Sequence, residues 1–225
     1  MIDPMTPHKL VFIGDSITDA NRARPVGEGV IDRPLGDGYV ALMEAILTAH
    51  APGHRVRFVN MGVSGNTSRE LAARFATDVV NLGASHVVIM IGVNDVWRTY
   101  TRANWLDWQI SPLEFETTLK GVLHCASVAG IGMTLATPFF IEPDREEAMR
   151  ARMDEYGDIV RRLAAQEQSG LADTQAAFDG ALSRLHPMQL ALDRVHVNLA
   201  GHMILAHAVG AAVFGAAWPR ITATA

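Results

Sequence analysis

The sequence predicts an α/β fold, a parallel sheet covered by helices on both faces, and three observations predict it. Short apolar runs alternate with helical patterns along the 225 residues. The strongest runs are continuous rather than alternating, as in strands buried on both faces. Residues able to carry chemistry follow those runs, at the strand ends where such sheets bind ligands.

Leu10-Val11-Phe12-Ile13, closed by Gly14, is the first such run. Val56-Arg57-Phe58-Val59 partly alternates and is placed nearer an edge. Val87-Val88-Ile89-Met90-Ile91 is the clearest strand; Met133 to Ala136 and the weaker Gly170 to Asp173 follow. Apolar residues recur at helical spacing over 39–50, 68–81, 113–129, 145–168, 174–185 and 198–214. The fourth of these is long and polar, so one face is expected in solvent. Asn21 to Asp37, with three glycines and two prolines, reads as a loop on the rim of a site. Val96 to Pro112 also reads as a loop and holds three of the four tryptophans, Trp97, Trp105 and Trp108. That concentration fits a loop pinned by aromatic packing, an oligomer contact or a platform for substrate.

Length and a hydrophobic content of 49% suit one domain over 1–225 with a sizeable core. A net charge of -5 without a basic stripe argues against nucleic acid as a partner. Arg145, Arg150 and Arg152, interleaved with Glu146 and Glu147, read as a solvated helix face. Cys125 stands alone, which excludes an internal disulfide and a multi-thiolate metal site. His196, His202 and His207 do not share one helix face, so neither a metal nor a cofactor is expected. Met1 to Lys9 lacks the apolar segment of a secretory signal, and no stretch is expected to reach the length of a membrane span. The chain therefore reads as cytoplasmic, with no membrane partner. The tryptophan-rich loop and the apolar C-terminal helix point toward a homo-oligomer without fixing its symmetry.

Four short blocks carry the chemistry. Ser16 follows the first strand in Gly14-Asp15-Ser16. A serine hydroxyl becomes a nucleophile only when a base takes its proton. His196 can be that base, and Asp193, three residues earlier, can hold its tautomer and stabilise the imidazolium. Between them lie Gly62-Val63-Ser64-Gly65-Asn66 and Gly92-Val93-Asn94-Asp95. The Ser16 and Gly65 amides and the Asn94 side chain can donate to a developing oxyanion. Asp15 and Asp95 read as carboxylates that hold loops. Alone, Ser16 would read as a helix cap and His196 as a surface-loop histidine.

Taken together, these blocks resemble those of the SGNH (GDSL) hydrolases, in order and spacing, from Val11 to past His202. The resemblance implies a flavodoxin-like three-layer α/β/α sandwich, a Ser16–His196–Asp193 triad, and an oxyanion hole of Ser16, Gly65 and Asn94. Longer stretches, among them Asn94 to Arg98, Thr137-Pro138-Phe139 and Gly201 to Ala206, resemble intracellular bacterial acetylxylan esterases. That implies removal of acetyl groups from xylo-oligosaccharides, with Trp97, Arg98, Trp105 and Trp108 as candidate substrate contacts. The chain departs from that group at Val197, where proline follows the histidine, and at His186 and Leu192, where aromatics stand. Rival readings are a general short-chain carboxylesterase or acyltransferase, and a non-catalytic receiver-like domain holding a cation at Asp15 and Asp95. The latter leaves Asp193 and His196 without a role.

Overall fold

The computed structural model of the chain describes residues 1–29, 32–101 and 109–219. Strands β1 (His8–Gly14), β2 (Val56–Asn60), β3 (His86–Met90), β4 (Gly132–Ala136) and β5 (Gly170–Ala172) form one parallel sheet in the order β2-β1-β3-β4-β5. Leu10 to Ile13 and Val87 to Met90 are buried because β1 and β3 are central and covered on both faces. β2 is an edge strand, and Arg57 leaves it toward solvent.

Helices α1 (Ser16–Asp19), α2 (Tyr39–His50), α3 (Ser68–Phe75), α4 (Val93–Thr101), α5 (Pro112–Val128), α6 (Ala148–Gln166), α7 (Thr174–Leu182) and α8 (Leu199–Phe214) make the connections. α2, α7 and α8 pack together, as do α3, α5, α6 and α4, giving the two outer layers. Side-chain caps set several starts: Ser111 before Pro112, Asp173 before α7 and Asn198 before α8. The strand order reverses between β1 and β3, so a crevice opens there at their carboxyl ends. Ser16 follows the first of these strands and Asn94 the second.

Three expectations are corrected. Val96 to Pro112 is not wholly loop: Gly92, at φ +128°, ends the strand segment, and α4 begins as its carbonyl accepts from the Val96 amide. Val93 and Val96 are buried, an i, i+3 pair too short to register as a period. The basic cluster is a solvated face only in part: Arg145 and Arg152 reach solvent, but Arg150 is 1% exposed and is the largest fully buried side chain among the described residues. It bonds Asp154 at 3.0 Å, Asp179 at 2.8 Å and the Glu142 carbonyl, so partners from three segments compensate its charge. One stretch does reach membrane-span length: Leu199–Ala217 is 19 residues of mean hydropathy 1.6. Here Leu205, Ala206, Val209 and Val213 are buried where α8 packs against α2, α7, β4 and β5, and core helices of this kind are apolar too.

Candidate active site

The hydroxyl of Ser16 lies 3.0 Å from Nε2 of His196, and Nδ1 of His196 lies 2.6 Å from Oδ2 of Asp193. Because the carboxylate accepts, Nδ1 carries the proton and Nε2 is free to accept from the serine. Asp193 also folds its own loop: Oδ1 accepts from the amides of Val195 at 3.0 Å and His196 at 2.8 Å. Partial burial pushes the Asp193 carboxyl up, but bonds from the imidazole and those two amides outweigh it and hold it below the ordinary value. The loop is anchored by Arg194 in the left-handed region at φ +64°. Its carbonyl accepts from Ile141 at 2.9 Å, its guanidinium pairs with Glu142 at 2.6 Å, and it lies 4.8 Å from the centre of the Phe140 ring.

Asn60, fully buried at the end of β2, holds the second block. It donates to the Thr18 and Leu35 carbonyls at 2.7 and 2.8 Å and accepts from the Gly62 amide at 2.9 Å. Only glycine fits at 62, since a Cβ there would stand 2.2 Å from the Asp19 amide nitrogen. Asp19 Oδ2 accepts from the Ser64 amide and hydroxyl and pairs with Arg24 at 2.6 Å. Gly65 adopts φ +81°, its carbonyl accepts from Arg98, and the Asn94 amide group donates to the Asn66 carbonyl at 3.0 Å. Asn94 carries two amide hydrogens, so this bond leaves one for a ligand. Trp97 faces His196 with ring centres 5.4 Å apart.

Thus Ser16, Asp193, His196, Gly65, Asn94, Trp97 and Arg98 converge on one end of the sheet. Trp105 and Trp108 lie outside the described residues. One residue that sequence reasoning missed is Arg74, which donates to Asn66 Oδ1 and the Met61 carbonyl, each at 2.6 Å, and to the Gly14 carbonyl at 2.9 Å. It clasps the end of β1 to the Gly65 loop, yet in sequence it is one charge on an amphipathic helix. Arg24, Arg194 and Asp19 were missed for the same reason: their partners are set by the fold.

Asp15 and Asp95 are buried behind the serine, and neither forms an open cation cup. Asp15 Oδ1 caps the Ile17 amide at 3.0 Å, while Asp95 accepts from the Ser68 amide and hydroxyl. Burial drives Asp15 up to about 7, only partly offset by the Ile17 amide, and nearby Asp95 adds to the rise. Asp95, raised to about 6, is dominated by burial too. Between the unfolded value of 3.8 and about 7, folded Asp15 keeps a proton that the unfolded chain has lost. Its stabilising contribution is full below the lower value and disappears as pH rises through the upper one. Asp15→Asn keeps the cap without the charge, so its melting temperature should exceed wild type by several degrees at pH 8 and by little at pH 4. Equal shifts at both pH values would refute that account.

Two recesses adjoin residues of the site, one at Gly65 and one at His196. One, of about 400 Å³, is lined by Ser64 to Thr67 and by the charged Arg69, Glu70 and Arg98. The other, of about 360 Å³, includes Met188, Leu190, Leu192, Asp193, His196 and Val197. Among the described residues no group of three or more His, Cys, Asp or Glu is placed to hold a metal ion.

Residues 12–204 match the GDSL-like lipase/acylhydrolase family. An acetylxylan esterase of Geobacillus stearothermophilus is 47% identical over 200 residues, 89% of this chain and 91% of the relative. A solved α/β hydrolase enzyme from the metagenome of Lake Arreo, Spain, superimposes with a TM-score of 0.90 at 48% identity, covering 93% of this chain and 97% of that one. A solved acetylxylan esterase from Geobacillus stearothermophilus gives a TM-score of 0.92 at 44% identity, covering 98% and 100%. Catalytic mutants of that enzyme replace a serine, a histidine and an aspartate by alanine. With most of its length matched by the family and by these relatives, the chain belongs to the GDSL-like lipase/acylhydrolase family.

Proposed function

We propose that this protein is a serine esterase that removes acetyl groups from acetylated xylo-oligosaccharides. The observation that carries the chemistry is the Ser16–His196–Asp193 hydrogen-bond chain at the reversal of strand order. His196 takes the proton of Ser16 as the hydroxyl attacks the ester carbonyl, and Asp193 holds the resulting imidazolium. The Ser16 and Gly65 amides and the Asn94 side chain stabilise the oxyanion. His196 returns the proton to the departing alcohol, then activates the water that releases acetate.

The substrate class is supported by the acetylxylan esterases similar to this chain. Burial of both Asp15 and Asp95 weighs against a cation-binding receiver domain. The test is acetate release from acetylated xylo-oligosaccharides, measured beside simple aryl acetates. Rapid release from the sugar is expected; turnover of aryl acetates alone would remove the sugar and leave a short-chain esterase.

Asn94 offers a separate check on the oxyanion assignment. Asn94→Ala should lower kcat by ~10²–10³-fold, the usual effect of one lost oxyanion donor, with a much smaller change in KM. A loss below fivefold would take Asn94 out of that role.

A further inference from the structure

The imidazole that takes the proton of Ser16 must give it to the leaving oxygen, so the alcohol half of an ester departs on the His196 side. Gly65 and Asn94 hold the opposite, oxyanion side. The recess of about 360 Å³ shares Asp193 and His196 as walls, and its other large side chains are Met188, Leu190 and Leu192. Leu192 is 82% exposed and Met188 62% exposed, two large apolar side chains open to water beside the catalytic pair. Exposed apolar surface of that kind marks a place that a ligand covers. The opposite recess, with Arg69, Glu70 and Arg98, would strip water from charges if an alkyl chain entered it.

In the Geobacillus stearothermophilus enzyme a tryptophan directly precedes the aspartate that one catalytic mutant replaces. Leu192 holds that position before Asp193 here. A flat indole can lie against the ring face of a sugar, whereas a branched aliphatic side chain has no flat face and packs against methylene groups.

We propose that the recess beside His196 is the alcohol-side subsite, that it accepts unbranched alkyl alcohols, and that Leu192 and Met188 set this preference. The inference rests on the esterase reading and extends it to acetate esters of aliphatic alcohols. In the step concerned, the Ser16 Oγ–acyl carbon bond forms and the acyl carbon–alkoxy oxygen bond breaks. The proton from Ser16 passes through His196 to the alcohol, and water then yields acetate.

The experiment is a pair of substrate series with wild type, Leu192→Asp and Met188→Asp. One series lengthens the alcohol, from ethyl through butyl to hexyl acetate, at nearly constant leaving-group basicity. The other lengthens the acid, from ethyl acetate to ethyl hexanoate. In wild type kcat/KM should rise about twofold per added methylene along the alcohol series, below the roughly fourfold limit for complete burial. It should stay flat or fall along the acid series. Both variants should flatten the alcohol series, and as exposed positions they should melt with wild type. A flat alcohol series in wild type, a rise confined to the acid series, or wild-type slopes in both variants would each overturn the subsite. Failure to hydrolyse any ester, ethyl acetate included, would instead sink the esterase reading and the subsite with it.

Discussion

Ser16→Ala should lower kcat on any acetyl ester by ~10⁴–10⁶-fold, because removing the nucleophile of a triad leaves only the oxyanion donors and binding. The side chain of Ser16 bonds His196 at 3.0 Å and is only half-buried, so its loss strands no buried donor. The melting temperature should therefore stay within about 2 °C of wild type, matching the small cost of a substitution without a cavity or a lost buried partner. The two measurements belong together. A large loss of activity with a large loss of stability would show that the site had collapsed. Residual turnover within tenfold of wild type would transfer the chemistry to another group.

Arg150→Ala should be strongly destabilising, at about 3 kcal/mol and a fall in melting temperature near 10 °C. Arg150 is 1% exposed and joins α6 to Asp179 on α7 and to the Glu142 carbonyl after β4. Truncation leaves that carbonyl short of a donor and Asp179 with Arg145 as its remaining cation, at 3.0 Å. Asp179 is 24% exposed, and water at its edge keeps the expected loss at the lower end for a broken buried pair. The consequence reaches the active site, since Glu142 also holds Arg194 in the loop of Asp193 and His196. Activity should accordingly fall at temperatures well below the melting transition. Arg150→Lys keeps the charge but not the planar fork, and should lie between the two. A melting temperature unchanged in Arg150→Ala would show that the buried charge contributes no net stability.

What was legible in the sequence follows from how far each signal reaches. The central strands could be read because burial on both faces demands apolar residues at every position, a requirement visible within five residues. Ser16, Gly65, Asn94, Asp193 and His196 could be picked out as candidates because each chemical role restricts the residue type, and they lie together because a parallel sheet gathers its strand ends at one edge. α4 could not, since its buried pair Val93 and Val96 is interrupted by polar residues that serve the site. The aromatic contact between Trp97 and His196 spans 99 positions of chain and has no local signature.

By itself, then, the sequence determined the layering, the strand positions and the candidate chemical groups, because these depend on periodicity and on residue type. Only the tertiary structure decided that Arg150 is buried, that Arg74 clasps the Gly65 loop to β1, and that the apolar Leu199–Ala217 stretch covers a sheet. The physical reason is the same in each case. Charge and apolar character are local properties, whereas the partner that compensates a charge or buries an apolar face is supplied by distant chain that folding brings alongside.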